Sequence, residues 1–209
     1  LIQFISEGGN TVVGIIMILV GYLMGSVNSA MIVCKLMGLP SPRSIGSGNP
    51  GATNVLRLGS KKAAAITLVG DALKGWMPVF IGHLLGLPIA IMAWIALAAV
   101  LGHVFPIFFG FKGGKGVATG LGVLLGIQPF LGLAVLGTWL VVAFLFRYSS
   151  LAALISVILS PIYGYFLLEK NIMVMGVLAL ISLVILIRHI GNIQRLFSGQ
   201  ESKIGQKKS

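Results

Sequence analysis

The sequence predicts an all-α, polytopic helical bundle built for a membrane, and three observations carry that prediction. Hydrophobic residues make up 57% of the 209 and charged residues 9%, whereas a soluble domain carries about a quarter charged to keep its surface wetted. The mean hydropathy of +1.04 excludes a disordered chain and a solvated coiled coil alike. The apolar residues fall in runs near the length of a membrane span, about 20 residues, and the charges gather between them. Those charges are one-sided, with 15 Lys and Arg against 4 Asp and Glu, a formal +11. A nucleic-acid binder would carry such an excess on a wetted surface; here it sits in short joints between spans, so no nucleic-acid partner is expected.

Taken in order, the first apolar run covers residues 12–37. Residues 1–10, with Glu7 and no Lys or Arg, lack the basic region of a signal peptide and are expected as an extra N-terminal segment. A polar, glycine-rich stretch, 38–62, follows. The second run, 63–82, is interrupted by Asp71 and Lys74; the third, 87–110, carries His103 and Pro106 near its end. A tight loop occupies 111–116. Residues 117–146 contain Pro129 and no charge before Arg147. Two last runs, 151–168 and 171–187, precede a basic tail, with 202–209 expected in the cytoplasm. The whole chain, 1–209, reads as one integral-membrane domain.

Charge placement decides the sidedness. Short loops rich in Lys and Arg stay cytoplasmic. Arg43, Arg57, Lys61 and Lys62 mark one such joint, Lys112 and Lys115 a second, and Arg147 a third; Arg188, Arg195, Lys203, Lys207 and Lys208 mark the tail. The joints at 83–86, 128–129 and 169–171 carry no net charge. Dividing the uncharged run at Pro129 makes basic and neutral joints alternate. That predicts seven transmembrane or partly spanning helices, N-terminus outside and C-terminus cytoplasmic. Residues 117–128 would reach only about 18 Å of the ~30 Å hydrocarbon core, so a partly spanning helix is expected there. Gly21-x-x-x-Gly25, Gly116-x-x-x-Gly120 and Gly122-x-x-x-Gly126 put small residues where helices can pack closely.

Polar groups are costly in a membrane, so their clustering is the functional signal. The charge pattern places four clusters at the cytoplasmic side. Residues 46–57 combine Gly46, Gly48 and Gly51 with Ser47, Asn49, Thr53, Asn54 and Arg57. The glycines match a dinucleotide fingerprint by spacing, but that motif needs a strand before it. What remains is a donor-rich surface suited to phosphate oxygens. Lys112-Gly113-Gly114-Lys115-Gly116 fails the Walker pattern yet opens a helix with glycines and two lysines, an arrangement suited to an anion. Asp71 and Lys74, at i and i+3, suit either a self-neutralising ion pair or a place at the site. On one helix, Arg188, His189, Asn192 and Arg195 would share an arc of about 120°. His83, at a neutral joint, is expected to be solvated or interfacial.

The inventory narrows the chemistry. Cys34 stands alone, which excludes an intrachain disulfide, and the dispersed histidines and scarce acids make no metal set. No metal or cofactor is expected. Hydrolytic triads and paired-carboxylate catalysis need a buried acid near the reacting groups, and no His has an Asp four residues later. Many anion-binding groups beside few proton-transfer groups suit a substrate that arrives activated. A phosphate-ester transporter is the rival reading, but it predicts inverted repeats and polar breaks at the midplane rather than motifs on one side.

Six collinear motifs then carry a resemblance. They are residues 46–55, Asp71-x-x-Lys74-Gly75, Gly102-His103 leading to Pro106, residues 111–119, Arg147 to Leu151, and Arg188-His189-x-x-Asn192-Ile193-x-Arg195-Leu196. From about Gly21 to Glu201 the chain resembles the bacterial acyl-phosphate:glycerol-3-phosphate acyltransferases. The resemblance implies an inner-membrane enzyme, with its site at the cytoplasmic face, that moves a fatty acyl group from acyl phosphate to the 1-hydroxyl of sn-glycerol 3-phosphate. Lysophosphatidic acid and inorganic phosphate would be its products. It implies catalytic roles for Ser47, Arg57, His189 and Asn192, and a structural one for Glu201. Asn49, Asn54, Lys112, Gly113, Gly114, Lys115, Gly116 and Arg188 would bind substrate. Its partners would be membrane lipids and the enzyme that makes the acyl phosphate. Position 191, often acidic in that family, is Gly191 here.

Overall fold

The computed structural model describes residues 2–168 and 170–206, with side chains from residue 11 onward. Leu1, Glu169 of the joint at 169–171, and Lys207 and Lys208 of the tail lie outside the described residues. Among those described, the regular structure is helical throughout. The Cα positions group into two compact units, Leu1–Ile127 and Gln128–Ser209.

In the first unit, α1 (Ile2–Gly25) begins well before the apolar run, so the segment expected as an appendage continues into the first span. The single helix expected over 12–37 is broken. α1 ends at Gly25, and α2 (Ser29–Leu36) departs at 41°. The sequence around the break explains it. Ser26 Oγ bonds back to Tyr22 O at 2.8 Å, and the Asn28 side chain caps α2 by accepting from the Met31 N–H. A short α3 (Ala52–Arg57) closes the polar loop. α4 (Lys61–Leu84) starts at Ser60, whose hydroxyl caps it through the Ala63 N–H, and α5 (Ile89–Val104) runs into the 3₁₀ turn Ile107–Phe109. α6 (Val117–Ile127) has 11 residues, about 16 Å, too few to cross the hydrocarbon.

Glycines set the close crossings here. A Cβ on Gly25 would run into Ala99 O and one on Gly102 into Tyr22 O, so both sides of the α1–α5 contact need the missing side chain. A Cβ on Gly122 would meet Ala72 O, where α6 lies on α4. Gly116 differs from expectation. With φ +89° it forms the turn before α6 and lies on no helix face. His83 is exposed, as expected of a solvated or interfacial residue, and its Nε2 also bonds Gly126 O at 2.8 Å, tying the end of α4 to the last turn of α6.

In the second unit the expected joint is present. Gln128 caps α7 (Pro129–Phe146) through the Leu131 N–H, and Pro129 takes the first helical position, where its missing N–H costs nothing. α8 (Ser149–Leu167) packs on α7 and α9 (Ile172–Arg188) on α8. The Ser182 hydroxyl reaches Val157 O at 2.7 Å across the α8–α9 contact. α10 (Ile190–Phe197) turns 59° away from α9. Phe130, Leu140, Val141 and Phe144 of α7 are exposed, an apolar outer face for lipid. Among the described residues, four helices are long and apolar enough to cross a membrane, or up to six spans if each bent pair counts as one.

Candidate active site

Three of the four polar clusters fall in the first unit and the fourth in the second. Residues 41–57 fold around Asn54, which is 1% exposed. Its Oδ1 accepts from the Ser47 N–H at 3.2 Å, while its Nδ2 donates to Pro42 O and Ile45 O. Expected to hold substrate, Asn54 is turned inward, its amide committed to the loop. Gly46 and Gly48 flank Ser47 at φ +64° and +67°, a backbone that disfavours other residues. The result lifts Ser47 and Arg57 to the surface and leaves Asn49 half-buried. The Ser47 hydroxyl accepts from the Asn49 N–H at 3.4 Å.

The glycine-lysine loop is built against the end of α5. The Gly113 N–H donates to Val104 O and the Gly114 N–H to His103 O, at 3.2 and 3.1 Å. A Cβ on Gly114 would strike the His103 ring, and one on Gly113 would strike His103 O. These glycines, expected to offer N–H groups to an anion, are needed for close approach, and the N–H groups are committed to α5. Lys112 is exposed and Lys115 half-buried, so the loop's cations come from side chains.

Asp71 and Lys74 form more than a local pair. Lys74 Nζ lies 2.8 Å from Asp71 Oδ1 and also donates to Val27 O at 2.6 Å, a carbonyl exposed by the break between α1 and α2. His103 Nδ1 lies 3.6 Å from the same Asp71 oxygen. The Thr119 hydroxyl donates to Asp71 O at 2.9 Å, so with its one hydrogen used it accepts from His103 Nδ1 at 3.1 Å. All four side chains are buried. The cluster joins α4, α5, α6 and the α1–α2 break, and the His103 ring it holds underlies Gly114. His103 and Thr119 were not among the expected site residues. Their placement in the motifs at 102–106 and 111–119 was the one available signal.

In the second unit the expected continuous polar face is interrupted, because α9 ends at Arg188 and α10 starts at Ile190. Arg188 is exposed, while His189 and Asn192 are buried. His189 Nδ1 lies 2.8 Å from Ile185 O, a bond that takes up a carbonyl in the last turn of α9. Asn192 Nδ2 donates to Glu201 Oε1 at 2.6 Å. The same oxygen accepts from Ser150 Oγ at 2.8 Å, and Arg195 Nε meets Oε2 at 2.8 Å. Burial pushes the Glu201 carboxyl up. The hydrogen bonds from Ser150, Asn192 and Arg195, with the Arg195 charge, outweigh it and hold the group below the usual carboxylate range.

Comparison with known proteins agrees over nearly the whole chain. The family described as glycerol-3-phosphate acyltransferase matches residues 15–199. Glycerol-3-phosphate acyltransferases of Burkholderia lata and Burkholderia orbicola are 57% and 56% identical, each over 91% of this chain and over 90% and 92% of their own. Two crystal structures of PlsY, an integral membrane glycerol 3-phosphate acyltransferase, share the fold. The glycerol 3-phosphate form has TM-score 0.86 and 37% identity, covering 92% of this chain and 96% of that one. The lysophosphatidic acid form has TM-score 0.84 and 36% identity, covering 92% and 95%. A chain matched from residue 15 to residue 199 and folded as PlsY is folded is a membrane protein of the glycerol-3-phosphate acyltransferase family.

Proposed function

We propose that this acyltransferase takes its acyl group from acyl phosphate and delivers it to the 1-hydroxyl of sn-glycerol 3-phosphate, giving lysophosphatidic acid and inorganic phosphate. The observation that carries the donor assignment is the state of the acids. The described carboxylates are Asp71, engaged by Lys74 and His103, and Glu201, engaged by Ser150, Asn192 and Arg195. Neither carboxylate is placed as a general base, which favours a donor reactive enough to do without a carboxylate base. An acyl phosphate is a mixed anhydride with a good leaving group. The glycerol hydroxyl oxygen attacks the acyl carbonyl carbon. The carbon–oxygen bond to phosphate then breaks with its electron pair on phosphate, and a phosphate oxygen takes the hydroxyl proton. The protein supplies position and positive charge. The PlsY structures, in glycerol 3-phosphate and lysophosphatidic acid forms, correspond to an acceptor and a product of this kind.

In this reading Ser47, Asn49 and Arg57 hold the acyl phosphate, on a loop shaped by Asn54. Lys112 and Lys115 hold glycerol phosphate, and Gly113, Gly114 and Gly116 give their loop its path. Arg188, His189 and Asn192 serve the same reaction by orienting a phosphate or the hydroxyl. The chain acts as one domain in a bacterial inner membrane, with N-terminus outside, C-terminus inside and chemistry at the cytoplasmic face. There it meets membrane lipids and the enzyme that makes acyl phosphate. The test is phosphate release by the purified protein given acyl phosphate and glycerol 3-phosphate, with acyl-CoA as control. Release from acyl phosphate alone is expected, and turnover with acyl-CoA but not acyl phosphate overturns the donor assignment. Lys115→Ala should raise the glycerol-phosphate KM by about tenfold or more, the effect of one lost charge-assisted contact.

A further inference from the structure

Arg43 enters the sequence reading only as one of the basic residues that set sidedness. In the folded chain its Nη2 crosses to the other polar loop, donating to Phe109 O at 3.2 Å and to Lys112 O. Among the described residues its Nε is buried without a hydrogen-bond partner, and no carboxylate pairs with it. The guanidinium is therefore committed to the backbone of the glycine-lysine loop. Both ends of this contact are firmly built. On its own side, the residue before Arg43 is fixed by Asn54, whose amide also sets the Ser47 N–H. On the far side, Lys112 precedes the two glycines pinned to the end of α5.

We propose that Arg43 is a positioning residue that ties the loop bearing Ser47 and Arg57 to the loop bearing Lys112 and Lys115, and so fixes the spacing between two phosphate-binding segments. The proposal rests on the assignment of those two loops to acyl phosphate and glycerol phosphate. An arginine suits the task because its planar fork keeps several donors in one orientation, while a lysine offers a flexible point charge. Arg43 acts through the carbonyls it holds, so its loss should loosen substrate binding more than it slows the chemical step.

The test uses the full chain in detergent, with phosphate release followed as glycerol 3-phosphate is varied, in wild type, R43A, R43K and K115A. R43A should raise the glycerol-phosphate KM by about tenfold, the effect of losing contacts made by a charged donor, with kcat held within about twofold. Free guanidinium ion should restore much of the KM in R43A and none in K115A, and R43K should lie between wild type and R43A. An unchanged KM in R43A overturns the proposal. So does a lowered melting temperature with a loss confined to kcat, the mark of a merely structural residue. If R43A fails to fold, R43K carries the same test: a KM raised by about threefold supports the proposal and an unchanged one overturns it. Absence of turnover in wild type would strike the acyl-phosphate assignment, whereas normal turnover with an indifferent R43A would strike Arg43 alone.

Discussion

At Glu201 three donors converge on one carboxylate whose side chain is 7% exposed, and the group's titration follows from them. A carboxyl held low in the folded state contributes stability above its unfolded value, near 4.3 for Glu. That contribution is lost as pH falls through the lowered folded value. Glu201→Gln should therefore melt earlier than wild type at neutral pH, by about 1–3 kcal/mol for the charge-assisted bonds removed. The gap should close once the pH drops below the carboxylate range. A gap independent of pH would mean that side-chain shape, and not charge, holds the cluster. Asn54 and Asn49 make a related point. Both lie in one donor-rich motif, yet Asn54 is buried within the loop while Asn49 is half-buried at its surface. Residue type alone does not tell the builder of a loop from the group it presents.

Among the elements, the α1–α5 pair shows what the small residues do. With no hydrophobic drive between helices in lipid, close backbone approach supplies the packing. Gly25 and Gly102 are the points where no Cβ fits. Gly25→Val should force α1 away from α5, lower the melting temperature in detergent by the equivalent of about 1–3 kcal/mol, and reduce activity. A wild-type melt would show that the crossing tolerates a side chain. The break between α1 and α2 is an element-scale device of another kind. It frees the carbonyl of Val27, which in a dry interior needs a donor, and Lys74 provides one from α4. The bend after α9 likewise divides a polar face that an unbroken helix would have kept whole, burying His189 and Asn192 and leaving Arg188 outside.

For the whole molecule, the alternation of basic and neutral joints makes a prediction about sides. In a Cys34→Ser background, Leu85→Cys should react with an impermeant thiol reagent on intact cells. Ser41→Cys and Gln200→Cys should react only after permeabilisation. The reverse pattern would invert the proposed topology. The sequence by itself determined the membrane class, the family motifs, the joint at Gln128-Pro129 and two of the three glycine patterns used in packing. Hydropathy, capping residues and spacing along a helix are properties of neighbours in the chain, so they can be read there. Only the tertiary structure decided that Asp71 would share its pocket with His103 and Thr119, that Gly113 and Gly114 would lie against α5, and that Arg43 would bridge two loops. A buried polar group must find a partner, but which partner depends on where helices distant in sequence cross, and one-dimensional spacing does not encode that crossing.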